Sequence, residues 1–232
     1  CPCNGFMAGT VDVADTADAI RAAAEALPFI RSMPRKFKIS VSCCDGAGAR
    51  PWINDLGLVS RRGGTFRVIG AGSLGRRPAI GIELYERLDV SDVLPLTRAA
   101  LKLFEAEGDR EHRYRARLRH VRERLGDEAF RARLDAAFRQ EREASGRETP
   151  RLRPVRENIP LVAHLRLPLG DLSADAAMLL ADAAEDAEAE MRIGFEHDVF
   201  VRAVRPFDLP AELSGLDRGP SIVACPGTTW CA

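Results

Sequence analysis

Two stretches of the first 150 residues carry apolar side chains at the 3.6-residue spacing of an amphipathic helix. The first covers residues 11–27, with Asp15 or Thr16 as its expected N-cap and Pro28 directly after its end. The second covers residues 91–108 and ends at a glycine.

Alternating β-branched residues predict two strands, over residues 37–42 and 65–69. Each strand opens onto a glycine-rich loop, at residues 45–49 and 70–75. If residues 37–42 form a strand, Lys36 and Lys38 lie on one face and Phe37 on the other. Two ammonium groups would then meet one anion, although lysines flanking an aromatic residue are also typical of a protected edge strand.

An arginine-rich helical stretch follows to Phe138, interrupted at Gly126. Between Arg110 and Arg124 there are seven arginines and only two acids. A solvated helix face with internal salt bridges is one interpretation of this basic block. Contact with an anionic cofactor or an acidic redox partner is the other.

The composition changes between Glu141 and Asn158, where polar residues, glycine and proline replace the apolar pattern, and we place a domain boundary there. Beyond it the pattern predicts a strand at 161–167, a helix at 173–190, and strands at 191–193 and 199–204. This order suggests a small α+β unit. Seven acids and no base between Asp171 and Glu190 predict an acidic outer face for its helix.

The 232 residues carry 34 basic and 34 acidic side chains, so the formal net charge is zero and a nucleic-acid partner is not indicated. A hydrophobic share of 46% is typical of a folded protein. No run of eighteen apolar residues suggests a membrane span, and no secretory signal opens the chain. We therefore expect a cytoplasmic protein that binds no membrane.

The six cysteines fall at residues 1 and 3, 43 and 44, and 225 and 231. Cys225 and Cys231 form a C-x5-C pair, and thiolates of this kind bind zinc or iron–sulfur clusters. Two ligands do not complete a site, and two unrelated buried thiols fit this spacing as well. A chain that starts at Cys1 and stops just after Cys231 is expected to be an excerpt of a longer protein.

Seven short motifs, taken together, give the chain a specific resemblance to a known family. They are PRKFK at 34–38, NDLGLV at 54–59, VIGAGSLG at 68–75, GDREHRYRAR at 108–117, LGDEAF at 125–130, LPLG at 167–170 and CPGTTWC at 225–231. In order and spacing the chain resembles the sirohaem-containing nitrite and sulfite reductases.

The resemblance implies a duplicated architecture of mixed α+β and α/β class, in which each half is a ferredoxin-like half-domain followed by a mixed-sheet cofactor domain. Residues 1–150 would be the first sirohaem and 4Fe-4S domain, truncated at its N-terminus. Residues 151–222 would be a ferredoxin-like half-domain, and residues 223–232 the start of the second cofactor domain.

The resemblance also implies two cofactors, sirohaem and a 4Fe-4S cluster. Cys225 and Cys231 match the first pair of cluster ligands, and the second pair is expected beyond Ala232. In the first copy Cys1 and Cys44 align with ligand positions, whereas Met7 and Gly48 occupy the other two. This copy is expected to be degenerate, with Cys3 and Cys43 as possible replacement thiols.

Lys36 and Lys38 match the two lysines that meet the anionic substrate in this family. Arg35 is expected to bind a sirohaem carboxylate, because its planar guanidinium fits a carboxylate well. Arg192 matches a cofactor-binding arginine of the half-domain. Two neighbouring positions depart from the family pattern, with Gly194 and His197 in place of Thr and Gln.

The implied activity is the six-electron reduction of nitrite to ammonia, or of sulfite to sulfide, with electrons from a ferredoxin-like or other donor. The segment by itself is expected to be inactive. One alternative is the related cobalamin-pathway enzyme precorrin-3B synthase, which the paired lysines disfavour. Another is a non-catalytic binding protein that kept the fold.

Overall fold

The computed structural model describes residues 2–45, 48–75, 77–145 and 148–217. The chain divides into two compact units, the first running from Cys3 to Val155 and the second beginning at Arg156. The strands of the first unit are β1 (Val11–Asp12), β2 (Ile39–Ser42), β3 (Leu56–Arg61), β4 (Thr65–Gly70), β5 (Ile82–Asp89) and β6 (Arg153–Pro154). Its helices are α1 (Ala14–Glu25), α2 (Val93–Glu107), α3 (Leu118–Leu125) and α4 (Asp127–Ser145).

Four strands of the first unit form a mixed sheet in the order β2-β3-β4-β5. β2 pairs with β3 in parallel, and the other two pairings are antiparallel. This confirms the mixed-sheet fold class expected from the sequence. β1 and β6 form a separate antiparallel pair, which keeps the chain in the first unit as far as Val155.

One apolar cluster joins the sheet to the helices of this unit. Leu58 and Val68 from the sheet, Phe104 from α2 and Phe130 from α4 are all fully buried in it. α2 packs against both α1 and α4. This layer of helices on a sheet fixes the position of β2 and of the loops around it.

Several boundaries differ from those that the sequence predicts. Residues 11 and 12 belong to β1, and the helix starts at Ala14, whose N–H donates to Asp12 Oδ1 at 2.9 Å. Neither Asp15 nor Thr16 is the N-cap, so that prediction is wrong. The pairing with β6 draws the start of the predicted helix into a strand.

Two strands of the sheet were not predicted. β3 is buried along nearly its whole length, so it lacks the polar and apolar alternation by which a half-buried strand is recognised. β5 mixes charged and apolar residues at the edge of the sheet. The predicted strand at 37–42 is also shorter, because regular pairing begins only at Ile39.

The arginine-rich stretch is less helical than expected. α3 starts at Leu118, so residues 108–117 form a connection that contains only one short 3-10 turn, Arg113–Arg115. Gly126 separates α3 from α4 with a φ of 81°, which agrees with the predicted interruption.

The second unit contains β7 (Leu161–Arg166), α5 (Ala174–Asp186), β8 (Glu190–Ile193) and β9 (Asp198–Arg202), and its antiparallel sheet has the order β7-β9-β8. Leu180 of α5 packs on Leu165 and Val201 of that sheet. Ser173 caps α5 by accepting a hydrogen bond from Ala176 N at 3.2 Å. Among the described residues of both units, none of the helices has the length and apolar character needed to cross a membrane.

Candidate anion site and cofactor ligands

The predicted substrate lysines lie in the segment that leads into β2. Lys36 and Lys38 are exposed, whereas Phe37 between them is half-buried with its ring centroid 5.6 Å from that of Phe104. Neither lysine forms an ion pair with any residue that the structure describes. Within the described residues, both ammonium groups are therefore available to an external anion.

Three of the sequence motifs meet at one buried carboxylate, that of Asp55. The side chain of Asp55 is fully buried, and its Oδ2 accepts a hydrogen bond from the backbone N–H of Lys38 at 2.7 Å. Arg117 binds the same carboxylate with two nitrogens, Nη2 to Oδ2 at 2.7 Å and Nε to Oδ1 at 3.2 Å. The motifs at 34–38, 54–59 and 108–117 are thus joined through one side chain.

The glycine-rich loop after β4 packs on the turn that carries Asp55. Ala71 N donates to Asp55 O at 2.9 Å, and Gly72 N donates to Asn54 O at the same distance. A Cβ at Gly72 would lie 2.2 Å from Trp52 O, so no side chain fits there. The loop is therefore part of the support for Asp55.

The start of the basic block holds the lysine segment from its other end. Arg110 Nη1 donates to Ser32 O at 2.6 Å, and Arg35 Nη1 donates to Arg113 O at 2.8 Å. Ion pairs with acids of the same unit engage Arg110, Arg117, Arg119, Arg122 and Arg124. The salt-bridge interpretation of the basic block therefore describes most of its arginines.

The two predicted sirohaem-binding arginines lie in different units. Arg35 is half-buried, and its Nε and Nη2 have no acceptor among the described residues, so they suit an external carboxylate. Arg192 lies in β8 and pairs with Glu190, Nη2 to Oε1 at 2.7 Å. His197 has a φ of 59°, and its Nδ1 is buried without a hydrogen-bond partner in the described part of the chain.

The described cysteines do not form a cluster site. Cys43 is buried, and a hydrogen bond to Cys44 together with that burial raises the pKa of its thiol well above the ordinary value. Within residues 2–45, 48–75, 77–145 and 148–217, no group of three or more His, Cys, Asp or Glu side chains is arranged to hold a metal ion.

The two unmatched ligand positions of the first copy support the same conclusion. Met7 is partly exposed and offers only a thioether, and Gly48 has no side chain. Cys1, Cys225 and Cys231 lie outside the described residues. The 4Fe-4S ligands therefore stay a prediction, and the described residues by themselves do not fit a cluster.

A family model described as "Nitrite and sulphite reductase 4Fe-4S domain" matches residues 1–142, which is more than half of the chain. The chain belongs to the nitrite and sulphite reductase family. This match covers the mixed sheet, the lysine segment, Asp55 and Arg117.

Curated relatives of this nitrite and sulphite reductase family member carry more specific names. The chain is 26% identical to the chloroplastic ferredoxin–nitrite reductase of Arabidopsis thaliana over 91% of its own length and 41% of the relative's. It is 27% identical to the ferredoxin–nitrite reductase of Synechococcus elongatus, over 92% and 46%. A shorter match, 33% over 118 residues, is to the assimilatory ferredoxin-dependent nitrite reductase of Haloferax mediterranei. The chain thus spans less than half the length of these relatives.

A solved structure, that of the Mycobacterium tuberculosis NirA protein, has a similar fold. It aligns with 93% of this chain and 41% of its own, with a TM-score of 0.65 and 18% sequence identity. At this identity the comparison supports the fold alone. It agrees with the mixed α+β fold class expected from the sequence.

Sequence reasoning did not single out Asp55 or Arg117. Both lie inside motifs that carry the family resemblance, so their residue types were visible. Their pairing was not visible, because the two residues are 62 positions apart in the sequence. In addition, β3, which begins directly after Asp55, was not predicted. An acidic residue directly before the apolar run Leu56–Val59 was the available signal.

Proposed function

We propose that the full-length protein is a ferredoxin-dependent nitrite reductase and that Lys36 and Lys38 bind the nitrite. The observation that carries this proposal is the pair of exposed, unpaired lysines ahead of β2. It is supported by relatives named as ferredoxin–nitrite reductases that match about nine-tenths of the chain. Those names favour nitrite over sulfite as the substrate.

The choice of lysine at these two positions supports proton transfer as well as charge. Only three of the chain's 34 basic side chains are lysines, and the third, Lys102, is paired with Glu141. An ammonium group can bind an anion and also release a proton, whereas a guanidinium stays protonated in proteins. Lysine at positions 36 and 38, in a chain whose basic residues are nearly all arginine, therefore supports proton donation as part of this proposal.

Nitrite takes up six electrons and eight protons to give ammonium and two waters. Sirohaem and a 4Fe-4S cluster, when bound, supply these electrons at the substrate. Lys36 and Lys38 would place positive charge beside the nitrite oxygens and donate protons as the N–O bonds break. Arg35 would hold a sirohaem carboxylate, and Cys225 and Cys231 would be two of the cluster ligands.

The electron donor follows from the same relatives. Ferredoxins are small proteins, and a ferredoxin-like donor is what the names of these relatives indicate. We also propose a cytoplasmic location. The plant relatives are chloroplastic proteins, so the compartment is to be tested by localisation of the tagged full-length protein.

The test uses the full-length protein purified without oxygen, with its absorption spectrum and its nitrite and sulfite turnover measured with a reduced dye. Lys38→Ala is expected to lower nitrite turnover about 100-fold or more with sirohaem absorption retained. Lys38→Arg keeps the charge but not the transferable proton, so it should recover nitrite binding more than turnover. Lys102→Arg is the control and should leave both unchanged.

Wild-type protein without sirohaem absorption, or with full nitrite turnover after Lys38→Ala, would refute the proposal. The first result would favour a binding protein that kept the fold. Turnover of sulfite with none of nitrite would replace the substrate and keep the lysine roles.

A further inference from the structure

We propose that Asp55 and Arg117 are positioning residues that fix Lys38 at the anion site. This inference rests on the proposed function, because it concerns how the nitrite-binding lysine is held. Its structural basis is independent of that function. It lies in the hydrogen bonds that Asp55 makes.

Both backbone polar groups of Lys38 are bound by two consecutive residues. Lys38 N donates to Asp55 Oδ2 at 2.7 Å, and Lys38 O accepts from Leu56 N at 3.1 Å. The second bond continues the parallel pairing of β2 with β3. The first is made by a side chain, so the position of the Lys38 amide depends on where the Asp55 carboxylate points.

Both the side chain and the backbone of Asp55 are held in place. Arg117 binds both oxygens of the carboxylate, and the backbone carbonyl of Asp55 accepts from Ala71 N at 2.9 Å. The side chain of Arg117 is itself only 9% exposed. A bidentate pair of this kind fixes both distance and direction, so the carboxylate has little freedom to rotate.

The use of a charge here is informative, because burying a carboxylate is costly unless it is paired. An uncharged acceptor for one backbone N–H would avoid that cost. The ion pair instead gives a rigid acceptor and leaves no net charge beneath Lys38, since Arg117 neutralises Asp55. The charge of the Asp55 carboxylate therefore does not offset the attraction between the Lys38 ammonium group and the anionic substrate.

Misplacement of a reacting group by about 1 Å can cost about 100-fold in rate, so rigid support for Lys38 has a measurable consequence. We expect Asp55→Asn to raise the KM for nitrite and to lower its turnover, together about 10- to 100-fold in kcat/KM, in the full-length holoenzyme. An asparagine keeps one acceptor oxygen but turns an N–H donor towards either Lys38 N or Arg117. Sirohaem absorption should stay unchanged.

The matched control is Glu141→Gln. Glu141 is also a buried acid, with its side chain 8% exposed, and it pairs with Arg98 and Lys102 between α2 and α4. It makes no contact with Lys38 in the described part of the chain. Glu141→Gln should therefore lower the melting temperature as Asp55→Asn does, with the KM for nitrite unchanged.

Two further measurements separate a positioning role from a structural one. Hydrogen exchange read at the Lys38 amide should accelerate in Asp55→Asn and not in Glu141→Gln. In a Lys38→Ala background, Asp55→Asn should still lower the melting temperature but no longer change the KM for nitrite, because the side chain that it positions is gone.

If Asp55→Asn does not fold, Arg117→Lys takes its place. It keeps the charge and loses the two-nitrogen contact, so a smaller increase in KM and in amide exchange is expected. Equal KM effects of Asp55→Asn with and without Lys38, or unchanged exchange at the Lys38 amide, would overturn the inference. Full nitrite turnover in Lys38→Ala would instead refute the proposed function, while the exchange measurement still decides whether Asp55 holds Lys38.

Discussion

Replacing Arg117 by methionine should strongly destabilise the first unit, because it strands a buried carboxylate. Asp55 is fully buried and Arg117 is only 9% exposed, so the carboxylate has little access to water once the guanidinium is removed. Removing one partner of such a pair typically costs about 3–5 kcal/mol of unfolding free energy. Methionine retains most of the apolar stem, so the loss is assigned to the charge and its hydrogen bonds.

A second substitution tests that cause directly. Adding Asp55→Asn to Arg117→Met removes the stranded charge, so the double variant should be about 2 kcal/mol more stable than Arg117→Met alone. The control is Arg21→Ala, which breaks pairs with Asp18 and Glu25 on the exposed face of α1. Its unfolding midpoint should stay close to that of the wild type, because exposed ion pairs contribute little.

The assay is unfolding in urea, monitored by hydrogen exchange on peptides from residues 3–155. Because these peptides all come from the first unit, the transition that they report is the unfolding of that unit. Arg117→Met and the double variant would have equal unfolding midpoints if the cost came from lost packing. That result would refute the reasoning that a buried unpaired charge dominates.

Three further predictions concern other parts of the chain. Gly72→Ala should cost about 1–3 kcal/mol in the same urea assay, because its Cβ would lie 2.2 Å from Trp52 O; wild-type stability would contradict this. In the second unit, Leu165 is fully buried, so Leu165→Ala should lower the unfolding free energy by about 2–5 kcal/mol. Ile193 is 85% exposed, so Ile193→Ala should change the unfolding free energy by less than about 0.5 kcal/mol. Equal losses for the two variants, measured by exchange on peptides from residues 156–217, would disprove the assignment of Leu165 to the core. Burial, and then the nearby charge of Arg119, lowers the pKa of His120, whose neutral Nδ1 accepts from Arg117 N at 3.2 Å. Its contribution to stability should be present above about pH 6.5 and be lost as the pH falls through the lowered pKa, and His120→Gln should remove this part of the pH dependence between pH 5 and 8.

Local sequence pattern was sufficient to predict the elements that have a regular apolar spacing or a clear breaker. The strand at β4, the helices α2 and α5 and the interruption at Gly126 were therefore predicted close to their observed positions. β3 was missed because it is buried on both faces. The start of α1 was placed too early because its first residues pair with β6, about 140 positions away.

At the lysine segment, too, the sequence predicted some features of the candidate site, and others were visible only in the structure. The residues PRKFK indicated two lysines opposite an aromatic residue, and Phe37 does pack inward on Phe104. The sequence could not indicate that the backbone of Lys38 is held by a side chain. That contact requires the parallel pairing of β2 with β3, which brings Asp55 beside Lys38.

By itself, the sequence determined the family, the mixed fold class and the identity of the basic and thiol side chains, since these depend on residue type and local spacing. Only the tertiary structure decided that Asp55 joins Lys38 to Arg117, which lies 62 positions further along the chain than Asp55. The partner of Asp55 is set by how the strands and helices pack, because a buried charge needs an opposite charge at hydrogen-bonding distance.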